Sequence, residues 1–140
     1  MIIDLADRMD AFDIRELISL SMGDPNEAQI SETLQRYRSW DAWHLFGEER
    51  ERHLLGCVGL KVDGRDGELR HIAVRSKQRG KGIGKAMLVA VVDRLGLSEL
   101  SAETDREAVD FYRKCGFRVE NLGEMYAGTE RFRCTLQKSG

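Results

Sequence analysis

Gln78-Arg79-Gly80-Lys81-Gly82-Ile83-Gly84 stands between a run that reads as a strand and a run that reads as a helix. Ahead of it lies Leu69-Arg70-His71-Ile72-Ala73-Val74. Behind it, Ile83, Met87, Leu88, Val91, Val92 and Leu95 fall on one face of a helix. Glycines at a strand-to-helix turn let a ligand come close to the backbone and leave N–H groups pointing at it. The helix dipole adds positive potential there, and Arg79 and Lys81 add formal charge, so the stretch reads as a phosphate site. A P-loop requires Ser or Thr after its Lys, and Ala86 follows Lys85. A dinucleotide fingerprint requires its third glycine one position beyond Gly84. Glu103 does stand where a ribose-binding acid would, but too little chain follows to complete that sheet.

The chain has 140 residues, which predicts one domain over 1–140 with a core that needs no covalent staples. A formal charge of −2 gives no drive toward nucleic acid or an anionic membrane. Cys57, Cys115 and Cys134 cannot all pair, and no two have metal-clasp spacing. The reading is reduced thiols, a cytoplasmic location and no bound metal. The start, Met1-Ile2-Ile3-Asp4, lacks a charged segment and a long apolar one, so neither a signal peptide nor a membrane span is expected.

Outward from the glycine loop, residues 1–5 read as a short strand and 6–21 as a helix with Met9, Phe12, Leu17 and Leu20 on its apolar face. A second helix is predicted to start at Asp24 as N-cap, with Pro25 in its first turn and Glu27 reaching back; Ile30, Leu34 and Tyr37 continue it. Residues 40–46 read as a strand, and the charged run 48–52 as a surface turn. Leu54, Val58, Leu60 and Val62 alternate, giving a strand over 53–62, a hairpin turn over 63–67 and a returning strand over 68–74. Gly96 is placed to end the helix after the loop, and 97–102 form a further strand. Thr104 and Glu107 suggest a capping box for a helix running to Cys115, and 117–122 and 132–136 read as closing strands around 123–130. Trp40 and Trp43 read as packing residues.

Arg79-Gly80-Lys81-Gly82-Ile83-Gly84 resembles the Gln/Arg-x-x-Gly-x-Gly/Ala pyrophosphate loop of GNAT-type N-acetyltransferases. A second block, Thr104-Asp105-Arg106-Glu107-Ala108-Val109-Asp110-Phe111-Tyr112-Arg113-Lys114-Cys115-Gly116-Phe117, is similar to that family's Asn-x-x-Ala-x-x-Phe-Tyr-x-x-x-Gly-Phe segment. Two such motifs in order are far more specific than either alone. The resemblance implies an α/β fold: a mixed central sheet of about six to seven strands with helices on both faces. It also implies that the strands flanking the loop and its helix are parallel neighbours. These splay apart at their C-terminal ends and admit a pantetheine arm.

What the resemblance implies about activity is transfer of an acetyl group from acetyl-CoA to a primary amine, by direct attack in a ternary complex. The alternatives are another acyl-CoA or an oxygen nucleophile on the same fold, or a non-catalytic CoA-binding sensor. The backbone of Ile72, Ala73 and Val74 would hold the pantetheine and thioester. Arg79, Gly80, Lys81, Gly82, Ile83, Gly84 and Lys85 would hold the pyrophosphate, and Asp105 and Phe111 would complete the coenzyme site. Tyr112 matches the family's acid near the coenzyme sulfur, and a phenol with an unperturbed pKa of about 10 is a fair donor to a thiolate. Glu68 matches an acidic position from which a base would act, directly or through water; His71 and Glu103 are rivals. Strict alternation puts His71 on the strand face opposite Glu68, where a packed, hydrogen-bonded histidine is the competing reading.

Two positions depart from the family pattern. Asp105 replaces the usual Asn and cannot donate from its side chain, and Ser76 replaces the usual Pro before the loop. The Arg113-Lys114 pair reads as a solvated face within reach of an adenosine phosphate. The acceptor would be chosen by residues 21–31 and 122–130, where Glu27 and Glu124, with Glu32 and Glu120 nearby, mildly favour a cationic amine. The expected partner is that amine, with a homodimer as an option.

Overall fold

The computed structural model describes residues 1–9, 11–126 and 128–138. Among them the chain runs β1 Ile2–Asp4, a 3-10 turn Ala6–Arg8, α1 Phe12–Ser21, α2 Glu27–Ser39, β2 Trp43–Arg50, β3 His53–Asp63 and β4 Asp66–Val74. A second 3-10 turn Ser76–Gln78 leads to α3 Ile83–Leu95, β5 Glu99–Asp105, α4 Val109–Lys114, β6 Arg118–Tyr126 and β7 Thr129–Gln137. The strands form one seven-stranded sheet in the order β1-β2-β3-β4-β5-β7-β6. Only β4 and β5 pair in parallel. At that junction α3 carries the chain from the end of β4 back to the start of β5.

Two cores sandwich the sheet. Met87, Leu88 and Val91 of α3, with Val109 and Tyr112 of α4, pack on one face against Leu60, Leu69 and Leu100. Ile14, Leu17 and Ile18 of α1, with Ile30, Leu34 and Tyr37 of α2, pack on the other against Leu45, Leu54 and Cys57. The mixed α/β architecture with helices on both faces is the one expected from the sequence.

Local boundaries differ from the sequence reading where side chains compete for the same role. Asn26, not Asp24, caps α2: its Oδ1 accepts from Gln29 N at 2.8 Å, and Gln29 Oε1 accepts from Asn26 N at 2.9 Å. Asp24 lies in the connection with φ 43°, and Pro25 precedes the cap. The buried stripe of α1 is Ile14, Leu17 and Ile18, leaving Phe12 at 75% and Leu20 at 51% exposure. Trp40 ends α2, so β2 begins at Trp43. Thr104 is a buried strand residue; α4 starts at Val109 with no side-chain cap, and Asp105 instead closes the turn before it, accepting from Ala108 N at 3.0 Å. Gly96 ends α3 in the left-handed region (φ 62°), as its position predicted. β6 and β7 extend well beyond the predicted closing strands, and Ala127 between them lies outside the described residues.

Two irregularities in β4 position the site. Its pairing with β5 covers only Asp66↔Glu99, Gly67↔Leu100 and Glu68↔Ser101, after which β5 continues with β7 while β4 continues with β3. The register between β3 and β4 also shifts: Gly59 faces His71 but Leu60 faces Leu69, so Arg70 is an extra residue. Such a bulge reverses the side-chain alternation beyond it.

Candidate functional site

Where β4 and β5 part, a groove of about 550 Å³ opens, floored by Ile72, Ala73 and Val74 and closed at one end by the glycine loop. Gly80 (φ 79°) and Gly82 (φ 78°) both sit in the left-handed region, and a Cβ at either would meet nothing within 4 Å. The space above the loop is therefore open to a ligand. Gly82 is the N-cap of α3 and offers no side chain to its first turn, so those amides are left for an anion. Gly84 serves a different end. A Cβ there would lie 2.9 Å from Phe111 Cε1, so its hydrogen lets Phe111 pack against α3.

The cations of the loop divide. Arg79 lines the groove and folds back, its Nε donating to the Val74 carbonyl at 3.1 Å. Lys85 and Lys114 line it as well. Lys81 does not; its Nζ donates to Oε1 of Gln78, itself a lining residue, at 3.2 Å. Ile83 and Phe111 join the lining, whereas Asp105 stands apart, committed to the turn before α4 and facing a separate recess with Glu124 and Glu130. Leu20 and Cys115 line the groove without having been read as site residues. Cys115 lay inside the second motif. Leu20 comes from α1, and nothing in its local sequence pointed to the groove.

Tyr112 is 6% exposed, with its ring edge-on to Phe111 at 5.1 Å and to Phe117 at 5.3 Å. Its hydroxyl has no hydrogen-bond partner among the described residues, yet no fully buried polar side-chain atom among them lacks one, so the hydroxyl reaches solvent. Burial raises the phenol's pKa, assisted by Cys134, Cys115 and Asp105, and keeps Tyr112 protonated as a donor.

Glu68 is exposed, paired with Arg70, and lines a recess with Glu99 and Ser101 at the point where the two strands part. Glu103 is exposed and paired with Arg131 at 3.3 Å. His71 corrects the sequence reading. Because of the bulge it faces the α2 side, as Arg70 does: His71 Nδ1 lies 2.5 Å from Tyr37 Oη, and the Arg70 guanidinium lies over Trp43, which packs edge-on to Tyr37. Glu68 and His71 therefore share a face. Among the described residues no group of three His, Cys, Asp or Glu side chains is placed to hold a metal, and no helix is long and apolar enough to cross a membrane.

A sequence model described as an acetyltransferase (GNAT) domain matches residues 41–119. An uncharacterised N-acetyltransferase of Bacillus subtilis (strain 168), YvbK, is 30% identical over 110 residues, covering 74% of this chain and 67% of that one. Among solved structures, an aminoglycoside 6'-N-acetyltransferase complexed with coenzyme A matches with a TM-score of 0.80 at 15% identity, over 98% of this chain and 96% of the other. A GNAT family acetyltransferase from Elizabethkingia anophelis with acetyl-CoA bound matches with a TM-score of 0.75 at 19% identity, over 99% and 97%. At those identities the two structures speak for the fold.

Proposed function

The chain belongs to the GNAT acetyltransferase family, and from that premise we propose that it moves an acetyl group from acetyl-CoA to a primary amine within a ternary complex. The observation that carries this reading is the open cradle over Gly80 and Gly82, continuous with the groove that runs down the unpaired edge of β4. The pyrophosphate would rest on the first-turn amides of α3, flanked by Arg79 and Lys85. The pantetheine would take the place of the missing strand partner beside Ile72, Ala73 and Val74, using backbone groups that β5 no longer satisfies. Lys81 would act beside the groove through Gln78 and its charge; Asp105 would act by closing the turn that leads into α4, which carries Phe111.

The amine nitrogen attacks the thioester carbon, a tetrahedral intermediate forms, and the C–S bond breaks. Tyr112 gives its hydroxyl proton to the departing thiolate, a role that suits a phenol kept neutral by burial. Glu68 accepts the proton that the amine loses. Three residues lie between Glu68 and Ile72, and with the bulge the span matches three rises of β3, about 10 Å of strand at about 3.3 Å per residue. An amine at a thioester lying farther along that strand is out of direct reach, so the proton would travel through water. The products are the acetylated amine and free CoA thiol. Thiol release from acetyl-CoA with a panel of primary amines tests the assignment. Failure to release thiol with any amine, together with no measurable CoA binding, would sink it.

A further inference from the structure

We propose that Tyr37 fixes His71 as a neutral imidazole carrying its hydrogen on Nε2, and that this N–H donates to an oxygen beside the amine of the acceptor substrate. The proposal rests on the amine-transfer reading above and names a feature of the substrate that reading leaves open.

The pair is built by three elements. Tyr37 comes from α2 and is 4% exposed, and its hydroxyl sits 2.5 Å from His71 Nδ1. Gly59 of β3 lies beneath it: a Cβ there would be 2.0 Å from Tyr37 Oη, so only glycine leaves the hydroxyl room to reach the imidazole. The bulge at Arg70 turns His71 onto that face. Trp43 holds the Tyr37 ring edge-on at 5.3 Å.

The direction of the hydrogen bond follows from what surrounds the hydroxyl. Tyr37 Oη has no second partner among the described residues. If Nδ1–H were the donor, the hydroxyl hydrogen would be buried with no acceptor. With Tyr37 donating to Nδ1, every group is satisfied and the ring hydrogen must lie on Nε2. Burial lowers the His71 pKa to about 4, with the positive charges of Arg70 and Arg36 adding to the effect. Near neutral pH the imidazole is therefore uncharged, and neither nitrogen offers a lone pair to act as base. Nε2 has no partner among the described residues, and since no fully buried polar side-chain atom lacks one, Nε2 meets solvent.

Position gives this donor a target. His71 precedes Ala73 on the same face, and Ala73 lines the groove. The glycine loop takes one end of the groove, so an amine attacking a thioester beside Ile72 to Val74 comes from the other; His71 does not itself line the groove but directly precedes Ile72 on that side. A fixed neutral donor there suits an oxygen two carbons away from the amine nitrogen. Amino alcohols, amino sugars and the α-amines of amino-acid amides or peptides all share that chemistry.

The test has two arms. Nitrogen-15 NMR of histidine-labelled protein reads the tautomer directly. We expect an Nε2–H imidazole that does not titrate between pH 8 and about 5, and a Tyr37→Phe variant whose imidazole, still buried beside Arg70 and Arg36, no longer holds the Nε2–H tautomer alone. An Nδ1–H tautomer, or a wild-type imidazole titrating near neutrality, overturns the proposal. The second arm compares kcat/KM for 2-aminoethanol and for glycinamide, each against n-propylamine; comparing these ratios between variants cancels the amines' own basicities. In His71→Leu the preference for the oxygen-bearing amine should fall roughly three- to tenfold, the value of one net hydrogen bond. His71→Gln, whose amide N–H replaces Nε2–H, should keep it. A fall for the hydroxyl partner alone, or for the carbonyl partner alone, identifies which oxygen is read. Unchanged ratios in a folded His71→Leu protein overturn the proposal. A chain that binds CoA and acetylates none of the panel sinks the transfer reading and the acceptor half of this one, while the tautomer result still decides the Tyr37–His71 half.

Discussion

From Ile72 to Val74, β4 offers the groove its backbone; from Glu68 to His71, the same strand offers side chains. The first stretch lies next to a loop whose glycines leave open space over amides, and it needs only an extended chain that has lost one neighbour. The second depends on Arg70 being an extra residue, on a glycine in the adjacent strand and on a tyrosine from a helix on the far side of a connection. A coenzyme common to many enzymes can be held by main-chain geometry. An individual acceptor has to be read by side chains, and those are placed by packing.

The largest effect that would break this contrast is expected at Tyr112, the proposed acid, whose ring packs behind Phe111 without itself lining the groove. Tyr112→Phe keeps the ring between Phe111 and Phe117 and removes the donor, so kcat should fall by roughly 10²–10⁴ while the Kd for acetyl-CoA barely moves. Wild-type turnover under chemistry-limited conditions would withdraw the acid role.

Gly82→Val tests the backbone end directly. A β-branched residue strained at φ 78° would intrude into the open cradle. Losing one amide bond to a charged phosphate costs about 1.5–3 kcal/mol, roughly ten- to hundredfold in Kd for CoA. Calorimetry on the folded variant that finds unchanged affinity would remove the loop from the site.

Glu68→Gln sharpens the other end. We expect kcat/KM at neutral pH to drop roughly tenfold, with partial recovery at high pH where the amine is already neutral. A profile that superimposes on wild type eliminates Glu68, and a selective loss in Glu103→Gln would move the role there.

Gly59→Ala probes the packing beneath Tyr37. The added methyl would force Tyr37 off His71, at a cost of about 1–3 kcal/mol in denaturant unfolding. An unchanged midpoint would show that the pocket accommodates it.

The smallest effect concerns acid. Between pH 6.5 and about 4 the unfolded chain protonates His71 and the folded chain does not. The unfolded state therefore binds more protons in that window, and stability falls as pH drops through it. In His71→Gln this part of the decline should disappear, as read from the difference between the two stability–pH profiles.

Much of this molecule follows from local chemistry. Gly80 and Gly82 announce positive φ, and the α3 stripe and Gly96 mark a helix and its end. The Phe111-Tyr112 pair in its motif led to the architecture and to most of the groove, because backbone preference and amphipathic period are properties of neighbours along the chain. Asn26 displaced Asp24 as a cap because several side chains of similar propensity compete, and Thr104 was drawn into β5, leaving α4 to start at Val109 without a side-chain cap. Leu20, from a distant helix, entered the groove, and Asp105 and Lys81 left it, for reasons no local pattern contains. The bulge in β4 is the clearest case. Strict alternation put His71 opposite Glu68, and one extra residue, chosen by pairing with β3, put them on one face. The sequence alone determined a glycine turn between a strand and a helix; only the tertiary structure decided which side chains gather on β4 beside it. Strand register is a contact between distant segments, and a shift of one residue turns every later side chain over.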